Sequence, residues 1–288
     1  MSSATAAGLV LALGSTTALN WGFFTQHGAA EAMPPLSVRH PLASLRLLAA
    51  SRRWLAGFVV GLAGWALYVA ALKLAPLSLV QAVSAGGLGL LALLQWLTPG
   101  AARPSRREWW AVAVAVAGLV LLAASLAAHS ASGTAPGAEA LVLWLVVLAL
   151  AAVAIAGSSR LGVPAAAALG AAAGVFYATG DVATKEAVVT AGIVLVPVVL
   201  ASHGLAFVSL QLGFQRGGVL VTVGLATLLT NALPIAAGTA LFNERLPPGV
   251  FGDLRLAAFA LVTAGAALLA RPASEPARAP RPEVVFGE

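Results

Sequence analysis

The sequence predicts an all-α polytopic membrane protein, and three observations carry that expectation. Nine apolar stretches recur along the chain, each approaching the roughly 20 residues a helix needs to cross a bilayer core. Hydrophobic residues make up 60% of the 288 and charged residues 9%, where a soluble domain carries about a quarter charged residues. Mean hydropathy is +0.95. Helix is the expected form because lipid offers backbone N–H and C=O groups no partners, and runs this long are not barrel strands.

The crossings are expected at about 6–26, 54–74, 77–97, 109–128, 140–158, 163–184, 191–212, 218–241 and 254–270. The opening run, MSSATAAGLVLALG, has no Lys or Arg ahead of it. A cleaved signal peptide needs such a basic region, so a retained first helix is expected. Arg52-Arg53 precedes the second crossing, and Ala75-Pro76 separates it from the third. Pro99 to Arg107, Ser132 to Gly137 and Pro247-Pro248-Gly249 break the chain at later turns. Residues 34–51 are too short and too basic to cross. They form either an interfacial helix, with Leu42, Leu45 and Leu48 on the leaflet and Arg39 and Arg46 toward headgroups, or a plain loop. Residues 272–288, rich in Pro, Ala and charge, are expected to be a disordered tail.

Nine crossings segregate the basic residues. Arg39, Arg46, Arg52, Arg53, Arg103, Arg106, Arg107, Arg160, Arg216, Arg271, Arg278 and Arg281 fall on the side reached after the first crossing, and Lys73, Lys185, Arg245 and Arg255 on the other. An even number of crossings would scramble this bias. The positive-inside rule then predicts an outer N-terminus and a cytoplasmic C-terminus in a multi-pass plasma-membrane protein.

Composition also excludes. Net charge is +6, yet no soluble domain exists to offer a basic face to nucleic acid. There are no cysteines, hence no disulfide framework, thiolate metal site or cysteine nucleophile. No H-E-x-x-H, G-x-S-x-G or carboxylate cluster is present, so no enzyme, cofactor or resident metal is expected.

The second half echoes the first. Shifted by 142, residues 61–97 set Trp65 on Phe207, Leu72 on Phe214, Pro76 on Gly218 and Val80 on Thr222. The layout within one membrane domain, 1–271, is four helices (6–128), a linking helix (140–158) and four more (163–271). An odd link inverts the second half, which is a transporter signature.

The stretch ALFNERLPPGVFGDLRLAAFALVTAGAAL (240–268), with Glu244, Arg245 and Leu246 in its turn, and ALKLAPLSLVQ (71–81) resemble the EamA-like members of the drug/metabolite transporter superfamily. Typical members have ten helices and an inner N-terminus, and the first repeat here reads TPGAARPSRREWW where the Glu turn belongs. Nine helices with an outer N-terminus resemble the branch that includes the NIPA-type magnesium transporters. The resemblance implies small-molecule transport and leaves the substrate open.

Few polar residues lie deep in the spans, where each is costly unless paired or hydrated. His203, with Pro197 before it, reads as a substrate ligand or proton carrier, or as a neutral imidazole bonded to a neighbouring helix. Asn231, beside Thr230 and ahead of Pro234, suits a polar site in an interrupted helix, or interhelical glue. Gln81, Asn20 and Tyr177 are further candidates for the cavity wall. Asp181 is the acid well inside a crossing. It reads as a proton or cation carboxylate, or as the partner of Lys185 one turn on, the latter favoured. Glu244 and Arg245 form a gate or a turn-stabilising pair, the structural role favoured.

The expected function is a secondary transporter of a small polar or amphipathic solute working by alternating access. The alternative is a magnesium transporter, against which one deep acid counts, since magnesium prefers carboxylates and water. A non-catalytic membrane scaffold is the minority reading. The expected partners are the solute and the bilayer, with a homodimer left open.

Overall fold

The computed structural model describes residues 3–37, 39–75, 80, 83–126, 137–190, 193–242 and 249–271. They form ten α-helices: α1 (Ser3–Glu31), α2 (Pro41–Ala50), α3 (Arg52–Leu74), α4 (Gly87–Leu97), α5 (Arg106–Leu126), α6 (Ala138–Gly157), α7 (Ala165–Thr190), α8 (Val196–Phe214), α9 (Val219–Ala240) and α10 (Val250–Ala270). Eight are long and apolar enough to cross a membrane. The third expected crossing, 77–97, is the exception. Its described part is the shorter apolar helix Val83–Leu97, which carries a turn at Gly86. Residues 34–51 contain a helix rather than a plain loop. Pro41 starts α2, where a missing N–H costs nothing, and the Ser51 side chain accepts from the Trp54 amide to cap α3.

The helices turn their apolar residues outward. Leu143, Leu150 and Val153 of α6 and Val59 and Leu62 of α3 are all exposed. In water such a surface would drive association, whereas in lipid it is the solvated face.

Lipid supplies no hydrophobic force between helices, so small residues bring backbones close. A Cβ on Gly22 of α1 would stand 2.7 Å from the Gly57 carbonyl of α3, and one on Gly57 2.8 Å from the Gly22 carbonyl. Gly170 and Gly174 of α7 press in the same way on Thr222 and Ala226 of α9. The principal packing pairs are α1 with α3, α5 with α10, α7 with α8 and α9, and α6 with α7, followed by α1 with α4, α9 with α10 and α4 with α5. Arg255 packs on Ser125 where the end of α5 meets the start of α10. The ends of α1, α8 and α10 lie instead with the starts of α3 and α5, at a face that carries Arg39, Arg46, Arg52, Arg53, Arg106, Arg107, Arg216 and Arg271. It is called the arginine-rich face below.

Candidate solute-binding cavity

A cavity of about 510 Å³ lies among α1, α3, α4, α5, α7 and α9, within the roughly 300–1,000 Å³ range of small-molecule sites. Its lining falls at positions 16–23 of α1, 65–68 of α3, 119–123 of α5 and 227–235 of α9. These are the middle and arginine-poor parts of the helices.

Two amides from distant parts of the chain reach it in the same local arrangement. Asn20 Nδ2 donates to the Thr16 carbonyl at 2.8 Å, and Asn231 Nδ2 to the Thr227 carbonyl at 2.8 Å. Only the amide nitrogen can make that bond, which fixes each side chain's orientation. Neither Oδ1 has a hydrogen-bond partner among the described residues, so each remains an acceptor. Thr230 also lines the cavity, with a long 3.5 Å contact to the Gly174 carbonyl. Pro234 sits inside α9 and lacks the N–H that the Thr230 carbonyl would meet.

Asp181 faces the cavity from α7. Its Oδ1 lies 3.6 Å from His203 Nε2 on α8. The His203 Nδ1 stands 2.9 Å from the Val199 carbonyl and must donate to it. Nε2 therefore carries a proton only in the imidazolium form, and the contact with Asp181 is then an ion pair. The Tyr177 ring meets the imidazole edge-on, with centroids 5.6 Å apart. Gly180 makes room for this, because a Cβ there would collide with the imidazole.

Of the sequence-predicted residues, Asn20, Thr230, Asn231 and Asp181 come together at one cavity. His203 and Tyr177 are not among its lining; they sit behind Asp181 and hold it. Asp181 Oδ1 faces His203 of α8; the expected pairing with Lys185 one turn on falls on a side chain outside the described residues. Gln81, Glu244 and Arg245 lie outside them too. The sequence reading misses Tyr68 and Phe23, which line the same space. Trp65 enters that reading only as half of a repeat pair. Aromatics near span ends are indistinguishable from an interfacial belt until the fold shows which face they occupy.

Beyond Phe23, toward the arginine-rich face, the chain halves are tied together. Trp54 Nε1 donates to Gln211 Oε1 at 2.9 Å, and Gln211 Nε2 donates to Gln26 Oε1 at 3.0 Å. Gln215 Nε2 donates to the Ala30 carbonyl at 2.9 Å, and His27 Nε2 lies 3.0 Å from the Gly217 carbonyl. Trp54 also stacks on Phe58, and both rings meet Phe207 of α8 edge-on. This polar and aromatic lock ties α1 and α3 to α8.

Fold and site together define a polytopic helical membrane protein with a polar cavity at its core. No family model matches the sequence, and no solved structure matches it. Over 85 residues the chain is 38% identical to a protein of Arabidopsis thaliana named as a probable magnesium transporter, NIPA9. The match covers 30% of this chain and 24% of that protein's length.

Proposed function

We propose that this protein is a secondary transporter of a cation and that Asp181 is the counter-charge in its binding cavity. The carrying observation is the lining: among the described residues Asp181 is its one charged member, and the other polar groups are amides and hydroxyls. Among the described residues no Lys or Arg lines the cavity beside the carboxylate. A carboxylate in a low-dielectric cavity favours a cationic partner over an anion.

Magnesium is the first-choice cargo, supported by the partial likeness to NIPA9. Among the described residues no three His, Asp or Glu converge on a metal cluster. Such a cavity suits an ion that keeps most of its water, as magnesium does, with Asp181, Asn20 Oδ1 and Asn231 Oδ1 contacting the shell. An organic cation is the second reading, favoured by Phe23, Trp65 and Tyr68 in the wall, whose ring faces attract cations.

Alternating access between two inverted halves is the proposed mechanism, within the EamA-like type of transporter. Its support is the matched packing of α1 with α3 and α4 against α7 with α8 and α9, with α5 and α10 pairing across the halves. The charge bias favours a cytoplasmic arginine-rich face, an outer N-terminus and a plasma-membrane location. No enzymatic activity is proposed.

The test is uptake into proteoliposomes, read with an internal magnesium dye and, separately, with labelled organic cations. Magnesium uptake that Asp181→Asn lowers by about a hundredfold, equivalent to about 2.7 kcal/mol, is expected. Uptake of anions or neutral solutes only, or full cation uptake by the Asp181→Asn protein, overturns the reading.

A further inference from the structure

A second cavity, of about 110 Å³, lies between α2 and α8 at the arginine-rich face. Its wall is apolar, with Leu45 and Leu48 of α2 opposite Phe207, Val208 and Leu212 of α8. The groove is held in shape by defined bonds. The Leu36 amide donates to Gln215 Oε1 at 2.8 Å, and Gln215 Nε2 donates to the Pro34 carbonyl at 3.1 Å, which ties the segment before α2 to the end of α8. The Ser44 hydroxyl receives the Ser37 amide at 2.9 Å and donates to the Ser37 carbonyl at 3.0 Å, fixing the entry to α2.

Two further features say what fills it. Leu42 and Leu45 of α2 are 71% and 53% exposed, as suits a helix lying at a membrane surface. The segment is also one-sided in charge: residues 32–54 carry Arg39, Arg46, Arg52 and Arg53 and no acid. Arg39 and Arg46 are exposed on the stretch that forms the groove. A small apolar slot on a basic stretch without acids, with exposed Arg39 between the lining residues Ser37 and Pro41, matches an acyl chain attached to an anionic headgroup. Basic pockets beside membrane helices bind such headgroups.

We propose that the groove between α2 and α8 binds one anionic phospholipid, its acyl chain along Leu45, Leu48 and Val208, its phosphate beside Arg39, and Arg46 adding positive charge at the same surface. Gln211 lines this groove and also bonds Trp54 and Gln26. The bound lipid therefore braces the lock that ties α1 and α3 to α8. The site is independent of the cargo.

The test is lipid retention by the full-length protein in detergent, read by native mass spectrometry with phosphatidylglycerol and phosphatidylcholine of identical chains. Retention of one phosphatidylglycerol, favoured about tenfold over phosphatidylcholine, is expected from two arginines at that surface. The surface double variant Arg39→Gln/Arg46→Gln should remove the preference, and Val208→Trp, which fills the groove, should reduce binding of both lipids. Equal retention of the two lipids, or a preference that survives the arginine changes or Val208→Trp, overturns the proposal. So does full displacement of phosphatidylglycerol by inorganic phosphate, which would make this a free-anion site. A disulfide between copies through Leu45→Cys would put a second chain in the groove and overturn it as well.

Discussion

The seam between α1 and α3 and the seam between α7 and α8 are equivalent in the proposed repeat, yet they are filled differently. In the first, Gly22 and Gly57 set backbone against backbone, with no room for a single methyl group. In the second, one glycine, Gly180, opens a space that an imidazole occupies, and the imidazole reaches Asp181 at 3.6 Å. Close backbone approach is a source of stability where lipid provides no hydrophobic drive. An ionisable pair in a span adds little stability and is costly to leave half-made. On the proposed function the first seam holds the bundle together, and the second carries the chemistry.

The largest expected effect separates them on stability. Gly57→Leu forces its side chain into the Gly22 carbonyl and Gln26. Overpacking of this kind costs about 1–3 kcal/mol, so thermal unfolding in detergent should begin well below that of the parent protein. An unchanged unfolding temperature would mean the first seam is not the structural one. Transport lost at unchanged stability would reverse the assignment of the two seams.

Gly180→Ala is the matching change in the second seam. The added methyl group collides with the His203 ring and drives it from Asp181. Transport should fall by about tenfold, equivalent to about 1.4 kcal/mol, with a smaller loss of thermal stability than Gly57→Leu. Equal stability losses in the two variants would erase the distinction. His203→Gln offers a control, since it leaves the packing nearly full while removing the imidazole that faces the carboxylate.

These two seams also show what a sequence discloses. Membrane helices, their breaks and the arginine bias were legible because they follow from runs of hydropathy and from charge position, which need no tertiary contact. Asn20, Thr230, Asn231 and Asp181 were legible as rare polar groups in apolar surroundings. Their convergence was not, because Asn20 and Asn231 lie 211 positions apart (231 − 20) and only packing brings α1 beside α9. The contact between Asp181 and His203 was not legible for the same reason. Lys185 is a neighbour along one helix, whereas His203 becomes a neighbour only when Gly180 lets α8 approach. Gln26 and Gln211 carry no local pattern, and their bond exists only across the two halves.

The smallest effect tests whether the halves contribute equally to the cavity. Asn20 belongs to the half with the glycine seam and Asn231 to the half with the ion pair. Each anchors its amide nitrogen to the carbonyl four residues earlier and keeps Oδ1 without a partner among the described residues. Replacing either with alanine removes one acceptor and one local bond, and a hydrogen bond to a charged partner is worth about 1.5–3 kcal/mol. A hydrated ion shares that loss with its own water, so the lower end is expected: about a tenfold rise in the concentration needed for half-maximal uptake, similar for Asn20→Ala and Asn231→Ala. Affinity lost in Asn231→Ala alone would confine the binding site to the second half. Affinity lost in neither would leave Asp181 as the whole recognition element, and the two amides would be bonds that steady their own helices beside it.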